Sequence, residues 1–449
     1  MKIHPNDATL EEALLSMDDD HRRVVLHAAH CSYCRSKLYY LPRPPVAPDA
    51  VSLPDYEAVL DRALARVEAC AAGLIQERDE APGLLVELLP LSFEERERRV
   101  RKEARFQTWG VFELLVERSG ELGIPDPEEA EAVARLAVAV SEHLDSGRYR
   151  PGLIADLRAR AWAFLANSLR IRSDLRGAES AFETAFSLLD SGTGDPLDLG
   201  ILLDLRASLL RDQRDLSGAV GLLRQAIEIF DSKRGDPHRA GRSMVKLATV
   251  HAHSMRFEEA IPLLTEAIKR IDGDREPRLL LCARHNLITY LADLGRSLEA
   301  HRLYRDTRPL YRSFAEPWVQ NRRKWVRAKI ARGLGQTAHA ETLFLLARDG
   351  FVAEGIPYDT ALVSLELASL YAGQGRRAEL KRLSEEMLPI FTSQRIHREA
   401  LAALGFFRAA VDAEQANAAL IAAVTGFLKR AEHDPGLRFE APTSALHHP

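Results

Sequence analysis

The chain has 449 residues, 46% hydrophobic and 28% charged, with a formal net charge of −4 and an isoelectric point near 6.5. That length exceeds what one hydrophobic core sustains, so several domains or a stacked array are expected, and the near-neutral balance argues against a protein that coats nucleic acid. No apolar run approaches the roughly 18 residues of a membrane helix, the first residues lack a signal-peptide core, and four cysteines make no disulfide scaffold, so a reducing cytoplasm is the expected location.

The chain opens with a small helical module. Asp7 to Met17 reads as a short helix. Asp18, Asp19 and Asp20 break it and can cap the next, because carboxylate oxygens accept from the free amides of a helix start. The second helix carries Val24, Val25 and Leu26 toward His27, Cys31 and Cys34. His27 and Cys31 share a helix face, and the Cys-x-x-Cys spacing lets two thiolates grip one ion. Three donors do not close a structural zinc site, so a fourth must come from His4, His21 or His30. His30 falls off the shared face, His21 lies nearly two turns before His27, and His4 can fold back from the chain ahead of the first helix. The plainer alternative is two buried thiols and a histidine on a helix face. A piece of about forty residues, however, is too small to hold itself together without a metal or a neighbour.

His4-Pro5, a short helix, and then His27-x3-Cys31-x2-Cys34-Arg35 resemble the zinc-binding anti-sigma factor domain. The resemblance covers residues 1–41. It implies one structural zinc on His4, His27, Cys31 and Cys34, and helices that clamp the promoter-recognition regions of an extracytoplasmic-function sigma factor. Tyr33 stands where that family has a small residue or proline, and the transmembrane helix of many members is absent.

Residues 42–54 form a proline-rich linker, extended by Pro42, Pro44, Pro45 and Pro48. Residues 55–149 come next as a helical segment. Tyr56 to Asp79 reads as a long amphipathic helix, Pro82 to Leu89 as a shorter apolar one, and Phe93 to Phe106 as a mixed-charge helix with ion pairs on its solvated face. Cys70 and Cys282 are expected in the core. Trp109 to Gly120 and Pro127 to Leu144 form a helix pair with Ala130, Ala134 and Ala137 on its small face. It reads as a degenerate repeat that caps a repeat array.

From 150 to 392 one unit recurs. Trp162, Leu165, Ala166 and Leu169 share a face of one helix, and Ala178, Phe182 and Ala185 share a face of the next. The position of Ala178 recurs as Ala219, Ala260, Ala300, Ala340 and, degenerately, Leu380. That of Ala166 recurs as Ala207, Ala248, Ile288, Ala328 and Ala368. This pattern resembles the tetratricopeptide repeat (TPR), six times over, with a period of 40 to 41 residues. The resemblance implies an all-α, right-handed superhelical solenoid behind the small zinc-binding head.

Such solenoids bind partners on the concave side, lined by the first helix of each pair. Two rows fall there: Arg160, Ile201, Arg242, Cys282, Arg322, Leu362, and Arg170, Arg211, Ala252, Ala292, Arg332, Ala372. The arginines suit an acidic or phosphorylated protein segment, since guanidinium forks match carboxylates and phosphates. The competing reading pairs them with Asp and Glu of adjacent repeats. No Walker loop, Gly-x-Ser-x-Gly or His-Glu-x-x-His appears, so no catalytic residue is assigned. Arg395 to Val411 and Ala416 to Arg430 read as capping helices within 393–432, and 433–449 as a flexible tail. The functional expectation is non-catalytic protein binding: an anti-sigma-like regulator, or a plain assembly scaffold whose zinc head is only structural.

Overall fold

The computed structural model describes His4, Pro5, Thr9, Leu10, Val24, His27, Ala28, Cys31, Cys34 and Lys37, then residues 56–123, 125–233, 235–393, 398–431 and 436–440. His21, His30, the Asp18 to Asp20 cap, the linker 42–54 and most of the tail lie outside the described residues. The chain divides into two compact units, Met1–Ala72 and Gly73–Pro449. No described residue lies in a strand. In the first unit Leu10, Ala28 and Cys34 form a small buried cluster, with Val24 and Cys31 packed on it.

The first long helix, α1 (Tyr56–Leu88), is continuous where the sequence suggests two. Pro82 lies inside it, which removes the amide that would bond four residues back. Ala81, Leu85 and Leu88 are buried around that point and keep the helix running. Cys70 is exposed, contrary to the expectation of a core thiol, and so are Leu60, Leu64 and Val67. Their spacing marks a helix face, and no described element buries it.

Helix α2 (Phe93–Lys102) is capped by Ser92, whose hydroxyl accepts from the Glu95 amide. Its charges are solvated as expected: Arg98 pairs with Glu95 and Arg101 with Glu97. Arg96 is the exception. It is buried, donating to the Leu91 carbonyl at 2.8 Å and to Glu129 at 2.6 Å. Helices α3 (Trp109–Leu122) and α4 (Pro127–Glu142) are the opening pair, with Ala130, Ala134 and Ala137 fully buried.

Six pairs come after it: α5 (Pro151–Ile171) with α6 (Leu175–Leu189), α7 (Pro196–Asp212) with α8 (Leu216–Phe230), α9 (Pro237–His253) with α10 (Phe257–Arg270), α11 (Pro277–Asp293) with α12 (Ser297–Arg312), α13 (Pro317–Gly333) with α14 (Thr337–Ala353), and α15 (Pro357–Gly373) with α16 (Arg377–Ser393). Each first helix begins on proline, whose fixed φ suits the first helical position and whose missing amide costs nothing there. Each first helix also ends in a left-handed residue: Ser173, Arg214, Met255, Gly295, Gly335 and Gly375. The next amide then donates to a carbonyl five residues back, from Asp174 to Leu169 and from Gln336 to Ala331, both at 2.9 Å. The last three repeats give this turn to glycine. The first three place ordinary side chains there, at a cost of about 1 kcal/mol or more each.

The small positions of both helices are buried throughout, from Ala166 and Ala178 to Ala368 and Leu380. The large position between them is filled by Phe182, Leu223, Leu264, Tyr304 and Phe344, and in the last repeat by the buried Ser384. Alanine at the crossing lets the backbones approach, and a bulkier side chain would overpack by about 1–3 kcal/mol.

Helices α17 (Arg398–Asp412) and α18 (Ala418–Ala431) close the array, and residues 394–397 before them lie outside the described set. The second of them packs on its pair and also reaches back along the array. Lys429 of α18 lies 3.3 Å from Asp293 at the end of α11 and over the ring of Phe257 at the start of α10. A cavity of about 650 Å³ lies beside it, lined by Arg214 and Met255 of the repeat turns and by Ala422, Gly426 and Arg430 of α18. Within the expected tail, Phe439 packs against Phe406 and Phe427, with centroids 5.6 and 5.0 Å apart.

Candidate metal centre and the repeat arginines

His27 and Cys31 are joined by a backbone hydrogen bond of 2.9 Å, one helical turn apart, and this aims both side chains the same way. Cys34 is itself helical and is fully buried against Leu10 and Ala28. His4 arrives from the chain ahead of these elements. Its Nδ1 lies 3.5 Å from the Cys31 Sγ and 3.4 Å from the Cys34 Sγ, and its ring meets that of His27 edge-on at 5.6 Å. One donor atom from each of the four residues lies within 4.8 Å of all the others.

These distances suit a shared cation. Bonds of about 2.3 Å to sulfur and 2.0 Å to nitrogen, at tetrahedral angles, place sulfur and nitrogen about 3.5 Å apart. The His27 Nε2 is buried with no hydrogen-bond partner among the described residues, a costly state for an imidazole nitrogen that nothing ligates. Burial, and then the adjacent Cys31, push the Cys34 thiol up. Two neighbouring thiols resist joint ionisation until a dication neutralises them. Among the described residues, this group of two histidines and two cysteines is the one gathered to hold a metal ion.

The repeat arginines have partners within the chain. Arg160 donates to Asp198 at 3.0 Å and Arg170 to Asp212 at 2.5 Å. Arg211 shares Asp212 at 2.7 Å. Arg242 pairs with Glu276, Arg322 with Asp359 at 3.2 Å, and Arg332 with Glu366. All but Arg211 reach the first helix of the next repeat or the residue that caps it, so the pairs bridge successive repeats. Ile201, Ala292 and Leu362 of the same rows are buried. Cys282 is exposed rather than core, contrary to expectation, although enough protein surrounds it for desolvation to raise its thiol.

Two charged residues in this region were not singled out by the sequence. Lys329 is buried on α13, 2.7 Å from Asp293 and 3.6 Å from Glu366. Burial opposes its charge, but Asp293 and Glu366 hold its pKa up. Asp293 is likewise desolvated, yet Lys329 and Lys429 hold it below the usual carboxylate range. The available signal was a lysine four residues after Trp325 on an apolar face.

No protein-family model matches the chain, and no curated protein matches it in sequence. Its fold is similar to that of a Rap protein complexed with Competence and Sporulation Factor. Identity is 11%, over 72% of this chain and 87% of that one, with a TM-score of 0.51. Aspartyl phosphate phosphatase F from Bacillus subtilis aligns at 13% identity over 87% and 94% of the two chains, with a TM-score of 0.47. BtubC from P. vanneervenii aligns at 17% over 53% and 92%, with a TM-score of 0.41. At such identities the likeness concerns fold alone. The chain is an all-α protein whose second unit is a solenoid of tetratricopeptide type.

Proposed function

We propose that the protein is a non-catalytic, protein-binding regulator in which a small zinc-holding head is joined to a partner-binding repeat array. The observation that carries this reading is the convergence of His4, His27, Cys31 and Cys34 ahead of the array, with their donor atoms within 4.8 Å of one another. Two thiolates and two imidazoles favour zinc, and four protein ligands leave no open position for a reactive water, so the ion's role is structural. Its binding supplies most of the folding free energy of residues 1–40. The head's partner is a sigma factor, on the strength of the His-x3-Cys-x2-Cys resemblance. The array supplies a second protein-binding surface. An acidic segment on the arginine rows would have to exchange with Asp198, Asp212, Glu276, Asp359 and Glu366, which occupy those arginines in the unbound chain.

The test is metal analysis of full-length protein purified without chelator, beside Cys31→Ser and His4→Ala variants. One zinc per chain is expected, lost in Cys31→Ser. Chelation should melt the head and leave the repeats helical. No zinc in the wild-type protein would refute the centre, and zinc retained in His4→Ala would hand the fourth position to His21 or His30. If Cys31→Ser also abolishes capture of a co-encoded sigma factor, the regulator stands. Lost zinc with capture intact, or no capture at all, leaves the plain scaffold.

A further inference from the structure

The cavity between α12 and α13 carries a charge imbalance found in none of the repeat rows. His301, Tyr304 and Arg308 line it from one face of α12, Arg323 and Arg327 from one face of α13, and His339 from the first turn of α14. Its volume is about 300 Å³, and no acidic residue lines it. Composition does not explain this, because the chain has 65 acidic residues against 61 lysines and arginines. Neighbouring arginines find carboxylates, as Arg322 does in Asp359 and Arg332 in Glu366. Arg308, Arg323 and Arg327 form no ion pair with any described residue.

Arg323 is nevertheless held in place. Its Nε donates to the Tyr304 hydroxyl at 3.1 Å and its Nη1 to the side-chain carbonyl oxygen of Gln320 at 3.2 Å. Its guanidinium also stacks over the Tyr311 ring at 5.8 Å. All three partners are neutral, so they orient the guanidinium without cancelling its charge. The start of α14 adds to the field. Its cap residue, Gln336, lines the cavity and makes no capping hydrogen bond, so the first-turn amides lack a side-chain acceptor.

The geometry points to a binding site for a phosphate monoester, either a free phosphorylated small molecule or a phosphorylated side chain. Three guanidinium groups and two imidazoles exceed what one carboxylate can satisfy. A phosphate dianion offers three acceptor oxygens and close to two charges. A cavity of this size is at the small end of ligand pockets and suits a ligand of amino-acid dimensions. The site shares no residue with the head or with the paired arginine rows, and the proposal does not depend on what either of them binds.

Calorimetric titration of the full chain in phosphate- and sulfate-free buffer tests it, with inorganic phosphate, O-phospho-L-serine and a phosphoserine peptide as probes. Saturable one-site binding is expected for phosphorylated probes and none for L-serine or the unphosphorylated peptide. Arg308→Gln and Arg327→Gln should each weaken binding about tenfold or more, while Arg242→Gln leaves it unchanged. Arg308 is exposed with no ion-pair partner, so its replacement leaves the thermal melt in place and reads binding alone. Phosphoserine binding as tightly as the peptide assigns a free ligand, and a peptide about tenfold tighter assigns a phosphorylated side chain. No saturable binding of any probe into the millimolar range, or equal binding by both pocket variants and the wild type, overturns the site.

Discussion

His285 sits where α11 meets α12, its Nδ1 2.7 Å from the Tyr311 hydroxyl and its ring edge-on to the tyrosine at 6.1 Å. Desolvation, reinforced by the positive charges of Arg322 and Lys329, pushes the imidazole down to about 3. In the unfolded chain the same group titrates near 6.5, so between those values the unfolded state holds the extra proton. Its contribution to stability is therefore complete above about pH 6.5 and is lost as pH falls toward 3, by at most about 1.4 kcal/mol per pH unit. The melting temperature of the wild type should fall more steeply between pH 7 and pH 4.5 than that of His285→Phe. Parallel slopes would mean that His285 titrates normally in the fold. Nothing in the local sequence marks this residue, since Arg284 and Asn286 flank it and its burial comes from Tyr311 of the next helix.

At the scale of the helix pair, the small positions were legible because alanine recurs at a fixed interval and packing demands it. Proline at each first-helix start and the left-handed residue at each turn recur at a similar interval, and both arise from chain geometry that the alanine pattern does not display. The arginine rows were legible as positions but not as pairs. Glu276 and Asp359 lie 34 and 37 residues beyond Arg242 and Arg322, and only stacking of repeats brings them together. In the head, one turn of helix made His27, Cys31 and Cys34 legible, whereas the choice among His4, His21 and His30 depended on how the chain folds back. The inter-repeat pairs predict the cost of charge reversal. Arg242→Glu with Arg322→Glu places like charges against Glu276 and the nearly buried Asp359. A loss on the order of 1–2 kcal/mol per site is expected, smaller at Arg242, whose pair is the more exposed. Urea midpoints measure it. An unchanged midpoint would mean that these pairs contribute nothing to stability.

At the scale of the whole array, each helix pair leans only on its neighbours, and such a chain of local contacts ordinarily frays from its ends in stages. The reach of α18 changes that expectation. Through Lys429 it ties the closing pair to Asp293, 136 residues earlier, and the Tyr358 hydroxyl donates to the Ala431 carbonyl at 3.5 Å. Removing residues 418–449 should broaden the denaturant transition and lower its m-value by more than the lost surface alone predicts. A transition that keeps its steepness per residue would mean the contact is passive. The closing helix thus acts as a clasp on a string of beads. It turns a sequence of independent openings into one shared event, and whatever loosens the clasp lets the repeats open one by one.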